Sequence, residues 1–237
     1  MIISQNVRGL KRESKLEELF DTMDSRGSYA NCVQEHWRND VEVLERNGMT
    51  AIMVGLSEVD QTKRGSQGVG IVLSARATKA WKACGSEKHV DLGARVVAVR
   101  FNVNESTKNS RREIGFFLVS AYAPIGRAPQ HEHDGFTRDL ATCIARKRPG
   151  DILMIGMDAN ASMGQNDSAD GDVGYGPVGG FGAPHLNDAG RRFRAFLATH
   201  GLTAASTYFK KRHYATWKHP RSRKMHQIDH FIVESSG

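Results

Sequence analysis

The sequence predicts an α/β (α+β) fold in four layers: two packed mixed β-sheets flanked by helices. Three observations carry that prediction. Apolar strand-like runs follow one another in pairs while helical stretches interrupt singly, which is neither strict βαβ alternation nor a pure sandwich. The 237 residues contain no repeat and no Gly/Ser-rich or Pro-rich run, so they read as one domain, residues 1–237. A chain of that length buries a sizeable core without disulfides or a structural metal. Finally, polar residues stand just past the ends of several apolar runs, where a layered sheet fold gathers its chemistry.

In chain order, Met1 to Asn6 alternates into a short strand closed by Asn6-Val-Arg-Gly-Leu10. Lys15 to Ser25 has helical spacing, with Leu16, Leu19, Phe20 and Met23 on one face and Gly27 as its stop. Ala30 to Gln34 is a strand leading into Gln34-Glu-His-Trp37. Residues 39–47 read as a helix, with Val41 and Leu44 as the stripe and Gly48 as the stop, and Met49 to Val54 as a strand. Gly65 to Ser74 is a glycine-punctuated turn running into a strand. No Gly-Lys-Ser/Thr follows it, so neither nucleotide fingerprint is met. Arg95 to Val103 and Ile114 to Ala121 alternate as strands around a polar turn, Asn104 to Arg112, and end at Tyr122-Ala-Pro124. His131 to Lys147 reads as a helix with Phe136, Leu140, Cys143 and Ile144 inward. After the strand within 151–160 comes a glycine- and Asp-rich loop, 161–185. Asn187 caps a helix of Arg191 to Thr199 striped by Phe193, Phe196 and Leu197. Thr203 to Tyr208, His213 to Trp217 and Gln227 to Val233 read as strands, the last two around a basic turn, His219 to His226.

Composition narrows the partners. Thirty-three Lys and Arg stand against 26 Asp and Glu, and the pI is about 9.4, a surplus that fits an anionic partner, above all nucleic acid. Cys32, Cys84 and Cys143 are far apart, without zinc or redox spacing, and read as reduced buried thiols of a cytosolic or nuclear protein. The N-terminus reaches a charged residue too soon for a signal peptide, and no segment has the length of a membrane span, so no membrane partner is expected.

The chain is organised around Asp151-Ile-Leu-Met-Ile-Gly-Met-Asp-Ala-Asn160. An apolar run closed by glycine reads as a buried strand, and Asp158 and Asn160, two apart on an extended chain, point the same way. An Asx turn at a strand end is the plainer reading of those ten residues alone. Asn6, Glu35, Tyr122, Asp158, Asn160 and Asp229 each follow an apolar run. Carboxylates, carboxamides and a tyrosine, without clustered cysteine or histidine, suit a hard divalent cation such as magnesium, and on a basic protein they point to phosphate ester chemistry.

At this point the chain resembles the exonuclease–endonuclease–phosphatase (DNase-I-like) superfamily, and within it the endonuclease domain of LINE-type (non-LTR) retrotransposons. The resemblance rests on Gln5-Asn-Val-Arg-Gly-Leu10, Gln34-Glu-His-Trp37, Gly68-Val-Gly-Ile-Val-Leu-Ser74, Val119-Ser-Ala-Tyr-Ala-Pro124, Gly156-Met-Asp-Ala-Asn160, Asn187 to Leu202, Ala215-Thr-Trp-Lys-His-Pro220 and Gln227-Ile-Asp-His-Phe-Ile-Val233. Singly weak, these motifs cover almost the whole chain in the family's order. The resemblance implies that Glu35 is the principal magnesium ligand (manganese being an alternative), with Asn6 beside it. Tyr122 would contact the scissile phosphate, Asp158 would align or deprotonate the attacking water, Asn160 would support a phosphate oxygen, and Asp229 would orient a catalytic histidine. Thr216 matches a position that contacts the DNA backbone. Arg221, Arg223 and Lys224 lie on a hairpin that inserts at double-stranded DNA in the family, with Lys210, Lys211 and Arg212 extending the phosphate footprint. The implied product is a nick with a free 3′-hydroxyl that primes reverse transcription. The implied partner is a reverse transcriptase domain in the same parent polypeptide, and the implied location is the nucleus, with the cytoplasm during synthesis.

The family pattern ends in Ser-Asp-His on a further strand. No Ser-Asp-His occurs here, and Gly237 lies eight residues past Asp229, so the expectation is a C-terminally truncated domain lacking that strand, histidine and aspartate. His230 follows Asp229 directly and on a strand faces away from it. A DNA-binding remnant without chemistry is therefore the alternative of a different class. An RNA nuclease or a lipid or inositol phosphatase is the alternative within the fold. Several other features read as structural. His131-Glu-His-Asp134 is the solvated start of a helix, and Asn166 to Gly171 lacks the first Asp and closing Glu of a calcium loop. Gly174 to Gly182 is a loop before a helix, Glu58 and Asp60 are surface charges, and Trp37, Trp81 and Trp217 are core residues.

Overall fold

Alternation of apolar residues builds two sheets that share one interior. In this computed structural model, residues 1–60, 66–106, 111–166 and 176–235 are described. One sheet holds β1 (Ile2–Asn6), β2 (Ala30–Gln34), β3 (Val41–Arg46), β4 (Met49–Val54) and β5 (Val69–Leu73) in the order β1-β2-β5-β4-β3. The other holds β6 (Lys88–His89), β7 (Val96–Ser106), β8 (Arg111–Tyr122), β9 (Ile152–Asp158), β10 (Leu202–Ala204) and β13 (Asp229–Glu234) in the order β10-β13-β9-β8-β7-β6. A separate two-stranded ladder pairs β11 (Trp217–Lys218) with β12 (Met225–His226).

The period of two sorts side chains into layers. Ala30, Cys32, Ile71 and Leu73 of the first sheet meet Val97, Val99 and Leu118 of the second in the central layer. Val33 and Val72 point the other way, onto α1 (Glu13–Ser25), whose Leu16, Leu19, Phe20 and Met23 are buried as their spacing predicts. On the far side of the second sheet, α3 (Gln130–Ala145) and α4 (Asp188–Thr199) bring Phe136, Leu140, Phe193 and Leu197 onto Phe117, Leu153 and Ile155. The predicted helix–sheet–sheet–helix arrangement is therefore the observed one.

Where the sheets approach below the site, the central layer turns polar and small. The buried Gln34 side chain donates from Nε2 to Ser4 Oγ (3.2 Å), Ser120 Oγ (3.3 Å) and the Gly156 carbonyl (3.3 Å), tying the sheets together. Gly156 sits inside β9 because a Cβ there would meet Cys32 Cβ at 2.8 Å.

Several local expectations are corrected. Residues 39–47 are not helical: Val41–Arg46 is β3, hairpinned to β4 through Asn47 and Gly48 at φ 50° and 77°. Asn-Gly is the preferred pair for a two-residue hairpin turn, and it outweighs the two apolar residues read as a stripe. Val41 and Val43 are exposed and only Leu44 packs against the α1 layer. A helix that the apolar spacing does not announce, α2 (Ala75–Ala83), starts at Ser74, whose Oγ accepts from the Ala77 N–H. The two-residue β6 is a second element without a sequence signal. β7 and β8 reach further than expected into the polar turn, of which residues 107–110 lie outside the described residues. Only Leu202–Ala204 of the stretch ending at Tyr208 is strand, followed by a 3-10 turn, Ala205–Thr207, and His213 to Thr216 is not strand. Most of the calcium-like stretch 166–171, and residues 174–175 of the next glycine loop, fall outside the described residues. Cys32 and Cys143 are buried free thiols whose pKa burial pushes up to about 12, whereas Cys84 is only partly buried. No helix among the described residues is long and apolar enough to cross a membrane.

Candidate active site

Register places the site. β9 runs parallel to β8 with Tyr122 opposite Asp158, and antiparallel to β13 with Asp229 opposite Asp158. Asp158 is thus flanked by a phenol on one side and a carboxyl on the other. From the facing sheet, β1 ends at Asn6 beside Gln34, and Glu35 follows β2 directly. Five strand termini in two sheets converge on one cleft of about 1070 Å³.

Asn6 links the carboxylates. Its Nδ2 donates to Glu35 Oε1 (2.8 Å) and to Asp158 Oδ2 (3.1 Å). The Tyr122 hydroxyl donates to the same Glu35 oxygen (2.8 Å). The Asn160 backbone N–H donates to Asp158 Oδ1 (2.9 Å), and its Nδ2 to the Ala123 carbonyl (2.8 Å). Thr216 Oγ1 accepts from the backbone N–H groups of Ile228 (3.0 Å) and Asp229 (3.1 Å), which seats the start of β13. The backbone is strained here: Arg8, Glu35, Trp37 and Asn160 have φ of 46°, 57°, 61° and 45°.

That strain is held by a residue to which the sequence motifs give no role. His36 is fully buried and lies between the ends of β4 and β5, with Nε2 3.1 Å from the carbonyls of both Val54 and Val69. Its Nδ1 accepts from the Arg38 N–H (3.0 Å), which makes Nε2 the protonated nitrogen. Burial pulls its pKa down to about 4. Gly68 is required beside it, since a Cβ there would sit 2.6 Å from the ring. His36 therefore anchors the loop that presents Glu35.

Electrostatics separate the carboxyls. Asp158 is 2% exposed, and its pKa rises to about 7 through burial first and the charge of Asp229 second, against hydrogen bonds from Asn160 and Asn6. Burial also raises Asp229, offset by Thr216 and Arg8. Burial, and then Glu35, raise the Tyr122 hydroxyl, so it remains a proton donor at neutral pH. Among the described residues, no Lys or Arg forms a salt bridge with Glu35, Asp158 or Asp229. Nor do three His, Cys, Asp or Glu side chains form a metal-binding group there. Magnesium needs fewer, taking one or two carboxylates and keeping several waters. Glu35 with Asn6, beside two further carboxyls that lack ion-pair partners, fits such a cation.

The structure thus brings together Asn6, Glu35, Tyr122, Asp158, Asn160, Thr216 and Asp229. It does not bring in Arg221, Arg223 and Lys224, which are exposed at the tip of the β11–β12 hairpin and do not line the cleft. His230 is buried on the opposite face, against Ser206 Oγ (3.2 Å), as alternation predicts. Of the three tryptophans, only Trp81 is core. Trp37 and Trp217 are half-buried walls of the cleft, a correction that position beside Glu35-His36 and Thr216 signals. Asn187, the cap of α4, also lines the cleft, as do Arg8, Arg127, Ser162 and His226.

This architecture is the endonuclease/exonuclease/phosphatase, or DNase-I-like, fold. It is shared with an AP endonuclease from Leishmania major (TM-score 0.61, 14% identity, 99% of this chain and 78% of that one). It is shared as well with an AP endonuclease from Archaeoglobus fulgidus (TM-score 0.57, 12% identity, 98% and 85%). Among curated proteins, craniofacial development protein 2 of Bos taurus is 28% identical over 167 residues, 70% of this chain and 25% of that protein. The chain spans a quarter of that relative's length. No protein-family profile matches the chain.

Proposed function

We propose that the chain is a divalent-cation-dependent phosphodiesterase that nicks double-stranded DNA. The observation that carries this reading is Asp158: a buried carboxyl without an ion-pair partner, its pKa near 7, held by Asn6 and Asn160 between Tyr122 and Asp229. A carboxylate tuned to neutral pH and fixed by two donors is suited to take a proton from water. Tyr122, a phenol that keeps its proton, offers a donor to a phosphate oxygen, and Asn160 supports the same charge. Glu35 and Asn6 would hold magnesium or manganese, which supplies positive charge to the phosphoryl oxygen. Water would add to phosphorus as the bond to the 3′-oxygen breaks, leaving a 5′-phosphate and a 3′-hydroxyl.

Double-stranded DNA as substrate rests on the basic surplus and on the exposed Arg221, Arg223 and Lys224 of the hairpin whose Trp217, His219 and His226 line the cleft. The finer assignment, a nuclear retroelement nickase that works beside a reverse transcriptase domain of the same polypeptide, rests on the motif order, above all Ala215 to Pro220 and Gln227 to Val233. Nicking of supercoiled plasmid with magnesium, with manganese and with EDTA tests the reading. Cation-dependent conversion to open circles that disappears in Asp158→Asn is expected. Nicking that survives in that variant would remove Asp158 from the site.

A further inference from the structure

We propose that Arg8 is a catalytic residue of the cleft, its guanidinium binding a non-bridging oxygen of the scissile phosphate from the Asp229 side. The proposal rests on the phosphodiesterase reading and adds to that site a residue to which the sequence motifs give no role of its own. It starts from a conflict between side chain and backbone. Arg8 has φ 46°, in the left-handed region where a β-carbon is crowded and glycine or asparagine is the usual occupant. A long side chain held at such a position points to a use for that side chain.

The loop leaves Arg8 no other conformation. The Val7 N–H donates to the Gln34 carbonyl (2.9 Å), the Gly9 N–H to the Glu35 carbonyl (2.7 Å) and the Leu10 N–H to the His36 carbonyl (2.7 Å). Residues 7–10 are thus stitched to the segment that carries Glu35. The Arg8 N–H donates to Asn6 Oδ1 (3.2 Å), the amide whose Nδ2 serves Glu35 and Asp158. Trp37 closes the far side, since a Cβ on Gly9 would lie 2.6 Å from its ring. The backbone is pinned on both sides of Arg8, yet the residue is exposed and lines the cleft. Among the described residues Arg8 is in no salt bridge. Charge gives the direction. Glu35, Asp158 and Asp229 form an acidic wall that repels a phosphodiester. Arg8 reaches that wall: burial raises the Asp229 pKa, and the Arg8 charge, after the Thr216 hydrogen bond, opposes the rise. The other arginine of the cleft, Arg127, is shared with the neighbouring cavity around Arg95 and Glu132. A guanidinium so placed presents its fork to a phosphate oxygen and keeps its charge. It takes no proton and forms no bond. As water adds and the 3′-oxygen leaves, it balances charge that grows on the phosphoryl oxygens.

The test compares steady-state plasmid nicking and thermal unfolding of the wild-type chain with Arg8→Asn, Arg8→Gly and Arg8→Lys. Asparagine and glycine accept the left-handed backbone, so both variants should melt at or above the wild-type temperature. Both should lose about 100- to 1000-fold in kcat, the range for one lost oxyanion donor, with KM changed by less than about 3-fold. Arg8→Lys, which keeps the charge and loses the fork, should recover at least about 10-fold of that loss. Nicking by Arg8→Asn within about 3-fold of wild type overturns the proposal. A raised KM at unchanged kcat also overturns it and makes Arg8 a footprint cation. A lowered melting temperature in both Arg8→Asn and Arg8→Gly, with no recovery in Arg8→Lys, overturns it in favour of a structural role. Wild-type nicking that depends on Asp158 but not on Arg8 removes this residue alone, whereas a wild-type chain that does not nick removes the phosphodiesterase reading and Arg8 with it.

Discussion

Strand β9 has an aspartate at each end, and the two have opposite fates. Asp151, one residue before the strand, is 6% exposed and takes both arms of the Arg100 guanidinium, Nε to Oδ2 at 2.8 Å and Nη2 to Oδ1 at 2.9 Å. The pairing raises the Arg100 pKa. Gly115 leaves room for it, because a Cβ there would lie 1.8 Å from Asp151 Oδ1. Asp158 is more buried, yet its neighbours are Glu35, Asp229 and two carboxamides, and its pKa climbs to about 7. Burial alone thus does not define a role. A buried carboxylate with a guanidinium partner holds the fold, and one left without a cation is available for chemistry.

The largest effect expected from breaking this contrast is on turnover. Asp158→Asn keeps the shape, retains one acceptor oxygen for the two donors Asn6 Nδ2 and the Asn160 N–H, and removes the titrating group, and plasmid nicking should fall by at least about 100-fold, the usual contribution of a general base. Asp151→Asn should leave nicking per folded molecule unchanged. Equal losses in both variants, measured on samples of matched folded fraction, would show that the two ends of β9 do not differ in role.

The second effect exchanges the positions. Arg100→Ala strands a buried carboxylate and should lower stability by about 3–5 kcal/mol in urea unfolding. Arg100 is only 11% exposed at its side chain, so solvent offers little compensation. A loss below about 1 kcal/mol would make the pair an ordinary surface bridge.

How much of this contrast is legible in the sequence follows from the range of each signal. Asp158 is legible because it ends an apolar run, but the extended pairing expected of Asn160 is not found: β9 stops at Asp158, Asn160 has φ 45°, and its N–H closes on Asp158 Oδ1 as the Asx turn of the plainer reading. The layers are legible because Leu16, Leu19, Phe20 and Met23 repeat with a helical period. Asp151 is visible in the same stretch, but its partner is 51 residues away on β7, and no local pattern names Arg100. His36 is equally silent, since its anchorage to Val54 and Val69 exists only once β4 and β5 pair. The stretch 39–47 departs from expectation for another reason. The Asn47-Gly48 turn is present in the sequence, and turn chemistry of that strength decides against a two-residue apolar stripe.

The third effect is a pH dependence of smaller size. Asp158 holds its proton more tightly folded than unfolded, so the folded state carries the extra proton between about pH 4 and pH 7. The associated stability is fully present below the unfolded pKa and is lost as pH rises through the folded one, up to about 4 kcal/mol in total. His36 and His230, both lowered to about 4, act in the opposite sense: stability rises with pH between about 4 and 6.5. The two slopes oppose each other in the wild-type chain without metal, and Asp158→Asn should uncover the histidine slope. Its melting temperature should therefore exceed that of wild type most at pH 8 and least near pH 4. A constant difference across that range would place the Asp158 pKa near its ordinary value.

The smallest effect on stability is expected where charge is most exposed. Arg221, Arg223 and Lys224 occupy a solvated hairpin tip, and replacing all three with alanine should change unfolding free energy by less than about 0.5 kcal/mol each. Arg223 already has φ 59°, and alanine meets the same backbone strain, so that position adds no conformational term. Binding is the readout on which these residues differ from Asp158. Removing one cation that neutralises a phosphate should flatten the slope of log affinity against log salt by about 0.9, so up to about 2.7 for the triple variant on duplex DNA. Asp158→Asn should leave that slope unchanged or strengthen binding slightly, because it removes a negative charge from the cleft. If the triple variant keeps the wild-type slope, the basic hairpin is a solvated loop and the DNA footprint lies elsewhere, with Arg8 and Arg127 in the cleft as the next cations to test.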